Sequence, residues 1–194
     1  MTTRQARGTA RRAEILAAAG ELLTHSGTAA VTHRQVAERA GVSHGSIRYY
    51  FDSRDALLMA CLKDIEEQRE AEARHAIEEA EAADSPSAQD TAQRLIRCIS
   101  GRDLGDDALR GGLCWLVDTT RESADLSTEL ARERQVLEGQ AAEILRVSDF
   151  PDTPAELVVA LGEGLMLKLL VEDQPEIAVH ATDSLARFLQ GHRG

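Results

Sequence analysis

The stretch VTHRQVAERAGVSHGSIRYYFDSRDALL, from Val31 to Leu58, holds two short helical patterns separated by a glycine. Thr32-His33-Arg34-Gln35 is a capping-box pattern: the Thr32 oxygen caps a helix over 33–40 while Gln35 reaches back to the cap. Val36, Ala37 and Ala40 recur at helical spacing and form its inward face. Gly41 then breaks the helix, Val42 fills the turn, and Ser43 is placed to cap a second helix over 44–50. Two helices of this length joined by such a turn have the proportions of a helix-turn-helix.

In a unit of that kind the second helix enters the DNA major groove. Val36, Ala37, Ala40, Val42, Ile47 and Phe51 can bury the pair against a preceding helix. That leaves His44, Gly45, Arg48 and Tyr49 together on the opposite arc. Arg48 can donate two hydrogen bonds to guanine O6 and N7, worth roughly 1–3 kcal/mol of discrimination. Gly45 lets the backbone approach DNA. Ser46, Tyr49, Tyr50 and Arg54 suit phosphate, as do Thr32 and the free amides at the start of the first helix. His33, Arg34 and Ser43 at the two helix starts complete the set of expected DNA contacts.

Outward from this stretch the pattern stays helical. Residues 1–8 read as a flexible arm, and a first helix runs over 10–25 with Ile15, Leu16, Ala19, Leu22 and Leu23 on one face. The head is therefore expected over 9–54 and the body over 55–194. The body begins with a long helix from Ser53 to about Ala83, followed by helices near 88–100, 106–121 (kinked at Gly111-Gly112) and 125–146. Thr153-Pro154-Ala155-Glu156 reads as a second capping box opening an apolar helix over 154–171, and Pro175 starts a last helix over 175–190. The expected architecture is all-α, with about nine helices, no strand alternation and no internal repeat.

Composition agrees. Aromatics are 3% of the 194 residues and prolines number four, while alanine is abundant, which favours helix. The net charge of −11 excludes a uniformly basic nucleic-acid coat, yet the charge is uneven. Up to Arg54 there are eight arginines against four acidic residues; beyond it, fourteen basic residues face twenty-nine acidic ones. A basic head on an acidic body confines nucleic-acid contact to the head. Cys61, Cys98 and Cys114 have no short spacing, which argues against a disulfide framework or a Cys-rich zinc site and fits a reducing cytoplasm. The polar start lacks the pattern of a signal peptide. The most apolar run, Leu157 to Val171, is interrupted by Glu163 and Lys168 and falls short of the roughly 20 residues of a membrane span. No nucleophile with a base, carboxylate pair, metal spacing or phosphate loop stands out, so no enzyme, metal or cofactor is expected.

The run Ala40-Gly41-Val42-Ser43, then Gly45, Tyr50-Phe51, Ser53 and Leu57-Leu58, resembles the DNA-binding segment of TetR-type transcriptional regulators. The close likeness covers about 50 residues; the rest is similar in length, helicity and helix order. The resemblance implies a homodimer on a palindromic double-stranded operator, a small-molecule effector held among the middle helices, and release of a repressor when the effector binds. Family members often carry Lys, Thr, Tyr and Pro where this chain has His44, Ser46, Arg48 and Asp52. Arg48 is the consequential departure, since it replaces an aromatic with a potential guanine reader.

For the effector, the resemblance points to Leu95, Cys98, Ile99, Leu113, Cys114, Trp115, Arg121 and Leu137 on the middle helices. For the dimer it points to the last two helices, with Leu157, Leu161, Leu165, Lys168, Leu169, Ile177, Ala181, Leu185 and Phe188. The apolar helix 154–171 independently suggests two buried faces, one toward its own core and one toward a partner subunit. Two other readings of the same residues are an activator of this type, and a helical ligand- or partner-binding protein whose DNA head is vestigial.

Overall fold

The computed structural model describes residues 3–191, with side chains from residue 6 onward. Among the described residues there are nine α-helices, one 3-10 turn and no strand. They are α1 (Thr3–Ser26), the turn Thr28–Ala30, α2 (His33–Arg39), α3 (His44–Tyr50), α4 (Arg54–Glu81), α5 (Ala88–Ser100), α6 (Asp106–Glu122), α7 (Ala124–Val147), α8 (Ala155–Val171) and α9 (Ile177–Gln190). The all-α fold and the helix order are those read from the sequence.

Three local expectations are corrected. The arm expected over 1–8 is helical from Thr3 on, while Met1 and Thr2 lie outside the described residues. The segment before Ala10 has no proline, and Arg4, Gln5, Ala6 and Arg7 are good helix formers, so the weaker Thr3, Gly8 and Thr9 do not stop propagation. At α8 the cap position is Pro154 and no side chain caps it, so the Thr153 capping box does not form. Helix α9 starts at Ile177, beyond Pro175, after a left-handed Glu176 at φ 55°. Its first amides are capped from a distance: the Asp106 carboxylate accepts from the amides of Glu176 and Ile177, each at 3.0 Å. A capping box absent from the sequence reading, Ser87 with Asp90, opens α5.

Two compact units emerge: Met1–Ile65 with Cys114–Leu130, and Glu66–Leu113 with Ala131–Gly194. The head thus extends past the boundary expected at Arg54 and recruits a segment of α6 and α7. In the first unit Ile15, Leu23, Val31, Val36, Ile47, Leu57, Leu58 and Leu62 form a core that also holds Trp115, Leu126 and Leu130. Each such aliphatic side chain contributes about 1.5–3 kcal/mol by leaving water. In the second unit Leu95, Ile96, Leu137, Ile144, Leu145 and Leu185 are fully buried. There α5 packs on α8 closely enough that a Cβ at Gly162 would lie 2.7 Å from Ile99 Cδ1. No helix among the described residues is long and apolar enough to cross a membrane.

Candidate nucleic-acid interface

The turn between α2 and α3 is built by backbone bonds that only a left-handed residue allows. Gly41, at φ 63°, donates to Glu38 O, and Val42 donates to Ala37 O at 3.0 Å. That pair of bonds is a Schellman closure, with glycine where an L side chain is strained. Thr32 caps α2, its oxygen accepting from the Gln35 amide at 3.2 Å. The reciprocal arm of the expected box is replaced: Gln35 Oε1 accepts from the Thr32 hydroxyl at 2.8 Å. Ser43 caps α3 by accepting from the Ser46 amide, and the two serine hydroxyls bond each other at 2.8 Å.

These bonds fix which way α3 faces. Ile47 and Phe51 are locked in the core at 0% and 3% exposure. His44, Gly45, Arg48 and Tyr49 are all exposed, as the spacing predicts, and so are Arg34 and Ser43. Tyr49 is the extreme case, at 81%. Tyr50 is half-buried and meets Tyr49 edge to face, with ring centroids 5.0 Å apart. Thr32, His33 and Ser46 are half-buried. The His33 ring lies edge-on to that of His44 at 6.0 Å, and its Nε2 is buried without a hydrogen-bond partner among the described residues.

Arg54 is the exception, and its expected phosphate role is corrected. Its Nε donates to Val31 O at 3.1 Å and its Nη2 to Thr28 O at 2.7 Å. Nη1 and Nη2 also form a forked pair with Glu122, at 2.6 and 3.0 Å. The guanidinium is turned inward, tying the loop before α2 to the end of α6. That bond from Arg54 holds the Glu122 carboxyl down at about 2, with the Thr28 side chain adding to the effect. Nothing local in the sequence marks a partner 68 residues away.

Reading the sequence also missed a second basic wall. An open groove of about 1250 Å³ lies between the start of α1 and α3, lined on the α1 side by Arg7, Arg11 and Arg12. Arg11 pairs with Glu14 at 2.8 Å, and the Arg12 guanidinium stands 5.4 Å from the Phe51 ring centroid.

The eight expected effector residues do not gather in one place. Leu95, Cys98, Ile99 and Leu137 are buried in the core of the second unit, with Leu113 packed against it. Trp115 instead belongs to the core of the first unit, at 5% exposure, and Cys114 and Arg121 are exposed. The polar centre of the second unit is a residue the sequence did not single out, Arg69. Its Nη1 donates to Gln140 Oε1 at 2.8 Å and to Cys98 O at 3.2 Å, and its Nε to Glu66 at 2.6 Å. Its Nη2 is buried with no hydrogen-bond partner among the described residues. Burial pushes the Cys98 thiol up to about 12, although Arg69 pulls it the other way.

The expected dimer residues divide as well. Ile177, Ala181 and Leu185 are consumed by their own core, at 0–1% exposure, and have no surface to offer a partner. Leu161, Leu165, Leu169 and Phe188 are partly buried against the same core. Leu157 and Lys168 are exposed, Lys168 pairing with Glu172. Leu167, Val171 and Val179, absent from the expected set, are exposed at 48%, 76% and 52%. Glu163 pairs within the chain with Arg134 at 2.6 Å.

Residues 15–61 match the family described as bacterial regulatory proteins, tetR family. The HTH-type transcriptional regulator BetI of Escherichia coli (strain K12) is 26% identical, over 94% of this chain and 93% of that protein. A TetR-family regulator from Rhodococcus sp. superposes with a TM-score of 0.73 at 23% identity, covering 95% of this chain and 99% of that one. The multidrug binding protein EbrR, complexed with malachite green, superposes with a TM-score of 0.65 at 26% identity, over 91% and 96% of the two chains.

Proposed function

Since the chain belongs to the TetR family of bacterial regulatory proteins, we propose that it is a one-component transcriptional regulator in which α3 reads an operator. One observation carries this reading: on a seven-residue helix pinned by buried Ile47, the outward arc presents Arg48 beside a Tyr49 that is 81% exposed. A large aromatic left this open beside a forked donor is suited to a base-edge surface. The His44 ring, Ser46 and Tyr50 flank that arc and suit phosphate.

The functional species in this reading is a homodimer. Helix α8 buries Val158, Val159 and Met166 in its own protomer while leaving Leu157, Leu167 and Val171 exposed. Twofold pairing of these residues, with Val179 of α9, covers the apolar surface and sets two α3 helices on an inverted repeat. The second unit holds the effector. EbrR is complexed with malachite green, and a comparable role here falls to the helices around Arg69, whose buried Nη2 has no acceptor among the described residues. Effector binding releases the operator, which makes the protein a repressor.

The test is selection of genomic fragments by the full-length protein, followed by footprinting at two salt concentrations. A discrete inverted repeat, with affinity falling as salt rises, is the expected result, and the neighbouring genes nominate effectors. Salt-sensitive binding with no preferred site would refute sequence-specific regulation.

A further inference from the structure

Arg69 of α4 is buried at 6% exposure, and the fold uses only two of its guanidinium nitrogens. Nε donates to Glu66 at 2.6 Å, and Nη1 donates to Cys98 O at 3.2 Å and Gln140 Oε1 at 2.8 Å. These bonds have structural tasks. Cys98 O lies in the last turn of α5, where carbonyls run out of helical amides, and Gly101 N is already spent on Arg97 O. Gln140 ties α7 to the same point. Nη2 carries two more N–H groups, yet it is buried and meets no acceptor among the described residues. The guanidinium is planar, and acceptors on α4, α5 and α7 hold its plane, so Nη2 cannot turn to find a partner. A buried donor left unmade is costly, more so on a charged group. A donor held ready in this way is what an anchor for a ligand requires.

The same bonds restrict what Nη2 can take. A carboxylate or phosphate is held best by a fork of two nitrogens. Here Nε and Nη1 are engaged, and Nη2 alone is left. Charge points the same way. Glu66 lies against Arg69 and offsets its charge, and Glu163 of α8 pairs with Arg134 of α7 at 2.6 Å. Burial pushes the Glu163 carboxyl up against the pull of Arg134, and the charges of Glu138 and Glu66 raise it further. Three carboxylates thus stand against two guanidiniums along this seam of α4, α7 and α8, and a further anion is repelled. An ammonium group fares no better at Nη2, because it has no acceptor to offer.

We infer that Arg69 is the polar anchor of the effector site and that the effector is an uncharged molecule presenting a single oxygen acceptor, such as a ketone, ester or amide carbonyl, to Nη2. The inference rests on the reading that the second unit holds the effector, and adds its chemical class. Ala73, one turn along α4, and Leu137 and Ala141, beside Gln140 on α7, are buried and apolar, which suits the hydrocarbon part of such a molecule.

Three probes built on one ring test the class: cyclopentanone, cyclopentanecarboxylate and cyclopentylammonium. Full-length protein labelled with 15N in its arginine side chains gives guanidinium NMR signals, and Arg69→Lys assigns those of Arg69 by their loss. Should that variant not fold, Glu66→Gln assigns them by moving the Nε signal. The expected result is that cyclopentanone alone moves the Arg69 Nη2 signal and binds about ten-fold or more tightly than the other two, a preference that Arg69→Lys loses. Equal binding of the three, a preference for the carboxylate or the ammonium, an unmoved Nη2 signal or no binding at all overturns the inference. Duplex binding separates it from the reading beneath. Cyclopentanone should weaken binding to a duplex that the wild type recovers from a random-sequence pool. Binding at Nη2 with duplex affinity unchanged overturns the effector role. If the wild type recovers no duplex, the regulator reading falls, while the three probes still decide what Arg69 binds.

Discussion

Glu122→Gln keeps the shape of a side chain and removes its charge from the knot at Arg54. The wild-type carboxylate accepts from Nη1 and Nη2 of Arg54 at 2.6 and 3.0 Å. This interaction lowers the Glu122 carboxyl from 4.5 to about 2. At 1.36 kcal/mol per pKa unit the shift sets a ceiling of about 3 kcal/mol. The Arg54 and Glu122 side chains are 33% and 18% exposed, so solvent screening reduces the expected cost to about 1–2 kcal/mol. The sign follows from linkage. A carboxyl depressed in the folded state stabilises fully above its unfolded value and loses that contribution as pH falls toward the folded one. Urea unfolding of wild type and Glu122→Gln should therefore show the full gap at pH 7, closing between 4.5 and about 2. Arg54→Ala should lower stability comparably and leave the salt slope of DNA binding unchanged. A gap that does not close on acidification would refute the ion-pair account. Wild-type stability in Arg54→Ala with a reduced salt slope would return Arg54 to the phosphate role that the sequence alone suggests.

Three further outcomes are expected. Leu167→Glu with Val171→Glu should give a monomer by light scattering with unchanged helical circular dichroism; a persisting dimer would place the interface elsewhere. Under native conditions a thiol reagent should modify exposed Cys114 alone, with Cys61 and Cys98, both pushed up to about 12 by burial, reacting only after unfolding. Rapid reaction of two or three thiols would contradict the packing described here. Asp106→Ala removes the acceptor for two amides at the start of α9, so it should cost about 1–2 kcal/mol by thermal or urea melting. Unchanged stability would mean that water replaces the cap.

The helices and the reading surface were legible because their signals are local. The Thr32 and Ser43 caps, the Gly41 turn and the spacing of Val36, Ala37 and Ile47 all act within a few residues. They fix α2 and α3 within a residue of the expected bounds and send Arg48 and Tyr49 outward. What stayed hidden depends on partners far along the chain. Arg54 looks like any helix-start arginine until Glu122 folds against it. Asp106 gives no hint in sequence that it caps α9. Ile177, Ala181 and Leu185 make an apolar stripe that serves equally for a core or a partner, and packing assigns it to the core. Trp115, expected among the effector residues, fills the first unit's core for the same reason: hydrophobicity says that a residue is buried, never against what. The start of α1 reads as an arm because chain termini are commonly unordered, although Arg4, Gln5, Ala6 and Arg7 favour helix.

The most direct test of the central claim is a parallel selection of random duplexes by the wild type and Arg48→Ala. The account predicts an inverted repeat for the wild type, and loss of one guanine preference per half-site in the variant with the remaining positions intact. Equal weakening on every sequence, or a wild type without a preferred site, would contradict the claim that α3 reads DNA through Arg48.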